Sequence, residues 1–498
     1  MNRNRLSLVA AAGLLAGSLV FVSCRKETSA GSWLGPLQAE GSKLFYAAVR
    51  DELAGHPMRS SLTDGEVAKI MEAETRYDRL SEFLVNIFYQ KEEPVFRALI
   101  DKGDRDSKER FADMYRQTVQ SAAHHFVEAF FATDAATELM RKSIEKYQGL
   151  DAVDLVVRSV GYHAKLDIPP VQSSPKPLSP EFGKQGALDG GGFRAAHQLT
   201  RGKGAKIAIL DTGIDTTHPV FQNTHWGPHF SLIGPVGPPW AANAPVVDWG
   251  FHGTLITSVA ATFAPEARLT MYKFGDGDTQ NDPPFGYLTE CLIAACIYRA
   301  VHDGNDIISI SASGATLDVP YLREACQYAY EQNKVVISGN LYMRWYEKGN
   351  TRNFPAQYKT VVSVTAAEKR KDGTYGYWNV CAPDPTVAVA APNDIFGAFP
   401  TYIDREDTYI PSISAAIPAV ASLFALASSV YPPTGKEGPG VYAQTLIDLV
   451  VQSADPYKVG YKGFTPECGH GLIDAEKTVN SALALRQKRE MEERRGDS

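Results

Sequence analysis

Beyond residue 190 the sequence alternates short β-branched runs with longer stretches whose apolar residues recur at helical spacing. The runs at 206–210, 269–274, 306–311, 334–338 and 361–365 have the length and composition of strands, and 289–302 and 320–332 between them read as helices. Strands covered on both faces read as near-continuous apolar runs, and strands interleaved with helices must pair in parallel through crossovers. The expected fold is therefore an α/β domain with a mostly parallel sheet between two helical layers. In such a sheet the ligand crevice lies beyond the carboxyl ends of the strands. Polar residues that terminate strands are thus the first candidates for chemistry.

The 498 residues suffice for two or three domains. Residues 1–23 read as a signal segment. Arg3 and Arg5 precede an uncharged apolar run at 6–22, slightly short of the roughly 20 residues that span a bilayer. Phe21-Val22-Ser23-Cys24 resembles the bacterial lipobox, with Phe21 where Leu is usual. That resemblance makes Cys24 the lipidation candidate, places the protein in the bacterial cell envelope, and makes the membrane a partner through a lipid anchor; simple cleavage and secretion is the alternative. No later stretch reads as a membrane span. Residues 24–36 are a tether. Residues 37–165 read as an all-helical domain: Thr63 to Glu66 form a capping-box pattern, and Met114, Val119, Ala122, Phe126, Ala129, Phe130 and Phe131 suggest a long amphipathic helix. His124 and His125 near Glu128 point to different helix faces, so no metal site follows from them. Residues 166–190 are a proline-rich linker closed by Gly190-Gly191-Gly192, and 486–498 a charged tail, either a helix end or disordered. A net charge of -7 lacks the basic excess expected of a nucleic-acid binder. With Cys24 lipidated, five cysteines remain, too few for a disulfide scaffold and odd in number; Cys291 and Cys296 read as buried free thiols.

Three segments carry candidate chemistry. The strand at 208–210 ends in Asp211-Thr212-Gly213, a carboxylate followed by a residue that permits a tight turn. Asp-Thr-Gly also marks aspartic peptidases, but those need two carboxylates sharing a proton and this chain has one such motif. Gly250-Phe251-His252-Gly253-Thr254 opens a helix of small apolar residues, where a neutral imidazole can accept a proton near pH 7. Ser414 precedes another small-residue helix, at the positive end of its macrodipole, with Pro418 one turn in. There it is suited to be a nucleophile, or simply the N-cap.

In the order Asp, His, Ser, these segments resemble the subtilisin-like serine peptidases, the subtilases. The resemblance runs from about 191 to 485. It includes Asp215 and His218-Pro219, Ser338-Gly339-Asn340, Asn353-Phe354-Pro355-Ala356, Ala390-Ala391-Pro392, and the closing Gly469-His470-Gly471-Leu472-Ile473-Asp474. It implies a serine endopeptidase acting on protein or peptide substrates. Ser414 attacks the scissile carbonyl, His252 shuttles the proton, Asp211 orients His252, and Asn340 with the Ser414 N–H holds the oxyanion. It also implies that Ser311, Ala312, Ser313 and Gly314 bind the substrate backbone as an added strand. Two departures stand out. Ser412-Ile413 replaces the usual Gly-Thr, removing the threonine hydroxyl and crowding the turn while leaving the Ser414 N–H as a donor. Phe251 replaces a small or polar neighbour of His252. Calcium is the cofactor the resemblance suggests. Asp276, Asp278 and Asp282 supply three carboxylates where calcium takes 6–8 oxygens, so a solvated loop is the reading there. The alternative function is a catalytically silent lipoprotein that binds peptides or an envelope partner through an intact cleft.

Overall fold

The structure, a computed structural model, describes residues 176–231, 246–248, 251–274, 286–311, 318, 320–340, 353–402 apart from 382, and 405–496, with Tyr162–Ala164 and scattered helical positions before residue 110. The signal segment, Cys24, the tether and nearly all of 37–165 lie outside the described residues. Every element below belongs to one compact unit made of Thr133–Ile233, Val246–Gly277 and Gly286–Ser498.

Twelve strands are described: β1 (Tyr162–Ala164), β2 (Lys206–Asp211), β3 (His225–Trp226), β4 (His229–Ser231), β5 (Arg268–Lys273), β6 (Ile307–Ile310), β7 (Val335–Gly339), β8 (Val361–Lys369), β9 (Tyr375–Tyr377), β10 (Val387–Pro392), β11 (Asp394–Gly397) and β12 (Thr408–Pro411). The main sheet runs β1-β4-β5-β2-β6-β7-β8-β10, with β3 on β5 and β9 on β8. Only the β1–β4 and β8–β9 pairs in it are antiparallel. β11 and β12 form a separate hairpin. Six longer helices accompany them: α1 (His252–Phe263), α2 (Gly286–His302), α3 (Pro320–Glu331), α4 (Ile413–Val430), α5 (Val441–Ser453) and α6 (Ala475–Gly496).

The strand alternation sorts the core. In β2, Ile207 and Ile209 face a cluster containing Leu255, Ile256 and Val259 of α1 and Ile417 and Val420 of α4. Ala208 and Leu210 face the other way, toward Ile293 and Ile297 of α2 and Leu322 of α3. Each fully buried aliphatic side chain contributes about 1.5–3 kcal/mol. The sheet is therefore pinned from both sides, as the continuous apolar runs predict. Helix α4 is long and apolar enough to cross a membrane, contrary to the expectation that no later stretch is, and it lies buried in this core.

Two boundaries differ from the sequence expectation. Tyr162–Ala164, inside the region expected to be all-helical, pairs with β4 as a strand too short to show a period. The second half of the linker is folded onto the domain: Phe182 packs edge-on against Phe396 at 4.9 Å, and Ala187 and Leu188 join the core. The charged tail continues α6 as helix through Gly496.

Candidate active site

Strand β2 delivers Asp211 at its carboxyl end, 1% exposed. The Thr212 N–H donates to its Oδ1 at 2.8 Å, and His252 Nδ1 lies 2.8 Å from Oδ1 and 3.0 Å from Oδ2. With its Nδ1 proton committed to Asp211, the imidazole keeps Nε2 as the free base. Burial works against the imidazolium, but the Asp211 carboxylate, with Asp248 farther off, outweighs it and holds His252 above its ordinary 6.5.

Helix α1 can start here only because two glycines touch. A Cβ on Gly253 would fall 2.1 Å from the Gly213 carbonyl oxygen, and one on Gly213, at φ 128°, would fall 2.6 Å from the Val246 and Val247 carbonyls. Phe251, the N-cap residue, sits at φ 63° and offers no side-chain cap. Asp248 supplies the cap instead. Its Oδ2 accepts the Thr254 N–H at 2.6 Å, and its Oδ1 accepts the Thr212 hydroxyl at 2.7 Å. That hydroxyl in turn accepts the Gly253 N–H at 2.9 Å. Burial pushes the Asp248 carboxyl up from its ordinary 3.8, against the bonds from Thr212 and Thr254. Asp248 belongs to none of the sequence motifs; its one signal is an acidic residue shortly before a helix with no other cap.

The candidate nucleophile is set one strand over. Ser414 is the second residue of α4, not its N-cap; the cap is Ser412, whose hydroxyl accepts the Ser414 N–H at 3.0 Å. The Ser414 N–H, expected as an oxyanion donor, thus already has an intramolecular acceptor. Pro418 has no N–H to give the carbonyl four residues back, which is that of Ser414. The Ser311 hydroxyl, just past β6, donates to that carbonyl at 3.1 Å. Ser311, expected among the substrate-binding residues, is buried and braces the Ser414 backbone; Ala312, Ser313 and Gly314 lie outside the described residues. Leu210 and Ile310 are register partners on the adjacent parallel strands β2 and β6, so Asp211 and Ser311 leave the sheet side by side. Helices α1 and α4, which pack together, therefore begin at the same sheet edge. Asn340 follows β7, its side chain fully buried and its N–H donating to the Val364 carbonyl at 2.9 Å. A Cβ on the preceding Gly339 would come within 2.7 Å of Ile417 and 3.1 Å of Ile413, so this strand end lies on the first turn of α4.

A set of polar contacts fastens the β11–β12 hairpin, which leads directly into Ser412. Asp215 accepts the Thr401 N–H at 2.6 Å and its hydroxyl at 2.7 Å, and also the Thr217 N–H and hydroxyl. The Val220 N–H donates to His218 Nδ1, which leaves the proton on Nε2 to be donated to Asp407 at 3.1 Å. Burial opposes the charge on Asp407, but the donations from His218 and the Phe399 N–H hold its pKa below the ordinary 3.8. Lys176 closes the set with bonds to the carbonyls of Arg405 and Pro400. The motif positions Asp215 and His218 thus act as fasteners.

Cys296, Cys326, Cys381 and Cys468 are buried free thiols; burial pushes Cys468 up to about 12, so it carries no thiolate at neutral pH. The side chain of Cys291, the calcium candidates Asp276, Asp278 and Asp282, and the aromatic stretch 342–346 lie outside the described residues. Among the described residues no cluster of three or more His, Cys, Asp or Glu is arranged to hold a metal.

The subtilase family model matches residues 202–471. The chain is 28% identical over 254 residues to thermitase of Thermoactinomyces vulgaris, covering 47% of this chain and 78% of thermitase. It is 28% identical over 238 residues to the major intracellular serine protease of Bacillus subtilis (strain 168), covering 45% and 70%. A solved lanthipeptide protease superposes with a TM-score of 0.47 at 20% identity, over 62% of this chain and 99% of that one. Because the family model accounts for more than half of the polypeptide, the chain belongs to the subtilase family and is a serine-type endopeptidase.

Proposed function

We propose that the chain is a serine endopeptidase held in the bacterial cell envelope through lipid on Cys24, with Ser414 as nucleophile, His252 as general base and then acid, and Asp211 as the carboxylate that orients His252. Ser414 Oγ attacks the scissile carbonyl while His252 Nε2 takes its proton, then returns it to the departing amine; water repeats the cycle on the acyl-enzyme. Asn340 shares the oxyanion. The Asp211 side chain, 2.8 Å from His252 Nδ1, stabilises the imidazolium as it forms. Extended peptides pair with the chain beyond Ser311.

The observation that carries this reading is the His252–Asp211 hydrogen bond at the head of α1, with Ser414 at the head of the neighbouring α4. The test is reaction of the full chain with a fluorophosphonate probe, read by mass spectrometry of the modified peptide. Label on Ser414 in the wild type, lost in Ser414→Ala and in His252→Ala, is the expected result. A folded wild type that takes no label sinks the proposal and favours the silent peptide-binding alternative, which the engaged Ser414 N–H would suit.

A further inference from the structure

The Ser414 N–H has two claimants. In the resting structure it donates to the Ser412 hydroxyl at 3.0 Å. Ser412 is in extended backbone, φ -152° and ψ 139°, the ordinary conformation of a capping serine, and its side chain makes the helix's N-cap bond. During acyl transfer the same N–H must turn to the oxygen that gains negative charge. An N–H of the second helix position points out of the helix end along one line, so the hydroxyl and the oxyanion compete for it.

We infer that Ser412 is a built-in brake on this peptidase: its hydroxyl occupies the backbone oxyanion donor, and each acylation must first displace it. The inference rests on the reading of Ser414 as nucleophile. A serine cap of this kind shifts an equilibrium by about 2- to 30-fold, whereas a lost oxyanion donor costs roughly 10²–10³ in turnover. The brake therefore slows the reaction without abolishing it, because the oxyanion is the stronger acceptor once charge has formed. Ile413 adds no hydroxyl of its own, so nothing at that position replaces the diverted donor. No covalent step is altered; one hydrogen bond is exchanged for another.

The brake makes one bond serve stability and slow catalysis at once, which separates it from a merely structural cap. Removing the hydroxyl should weaken the fold and speed the enzyme. The test uses the full chain as wild type, Ser412→Ala and Ser412→Thr, each checked by urea unfolding. The second-order rate of fluorophosphonate labelling at Ser414 is then measured. The expected result is that Ser412→Ala unfolds at lower urea yet labels roughly 2- to 30-fold faster than wild type. Ser412→Thr, which retains a capping hydroxyl, should label at least threefold more slowly than Ser412→Ala. If Ser412→Ala labels at the wild-type rate or slower, the brake is overturned while the nucleophile reading stands. If neither protein labels although both are folded, the nucleophile reading falls and the brake with it.

Discussion

At His252 two opposed effects meet: burial, which discharges an imidazole, and the Asp211 carboxylate at 2.8 Å, which charges it. The carboxylate wins, so the proton is retained to a pH above 6.5. Catalysis needs the neutral base, so activity must fall as pH drops through the raised value. The acid limb of the labelling rate is expected to have its midpoint above pH 6.5, and Asp211→Asn to move it lower while slowing the reaction by up to about 10⁴. A limb that stays in place in Asp211→Asn would show that the carboxylate does not set it. The same pairing stabilises the folded state fully below the unfolded pKa, and that contribution is lost as pH rises through the folded value. The identities of Asp211, His252 and Ser414 are legible in the sequence because each ends or begins an element whose pattern is strong. Asp248 is not, because its role exists only where the turn at 246–248 meets the head of α1.

At the scale of elements, α4 carries a proline whose cost is met by another strand. Pro418 deprives the Ser414 carbonyl of its helical partner, and Ser311 replaces it across the gap between β6 and α4. Ser311→Ala leaves a buried carbonyl without a donor and should cost about 1–3 kcal/mol, seen as a lower urea midpoint at unchanged slope. Restoring the helical N–H by Pro418→Ala in the same chain should recover part of that loss, although Pro418→Ala alone should gain little. Two additive single effects would mean that the carbonyl is not their shared point. From sequence, the proline looks harmless near a helix start, and Ser414 itself reads as the N-cap. Which serine caps depends on where the backbone leaves the β11–β12 hairpin, a two-residue question that helical periodicity does not resolve.

At the scale of the molecule, the polypeptide entering the domain is part of its structure. Lys176 is bonded to the loop before β12, the Gln185 side chain accepts the Phe396 N–H at 3.0 Å, and Tyr409 donates to Glu181 at 2.9 Å. A chain beginning at Lys176, which lacks β1, sets the reference thermal midpoint and labelling rate. One beginning at Ala187 loses the burial of Phe182 and these bonds, and should melt roughly 5–10 °C lower and label more slowly, because the fastened hairpin leads into Ser412. Equal midpoints would mean that the segment 176–186 is only a tether. What the amino-acid order alone determined here is the layered α/β domain and the three side chains offered as candidates for its chemistry, since periodicity and turn residues act within a few positions. What only the tertiary structure decided is what those groups are bonded to. The Asp248 cap, the Ser311 brace, the Ser412 hold on the Ser414 N–H and the fastening at Asp407 join residues from separate elements, or depend on where a helix begins. Such pairings follow from how the strands and helices pack, which no local pattern of residues specifies.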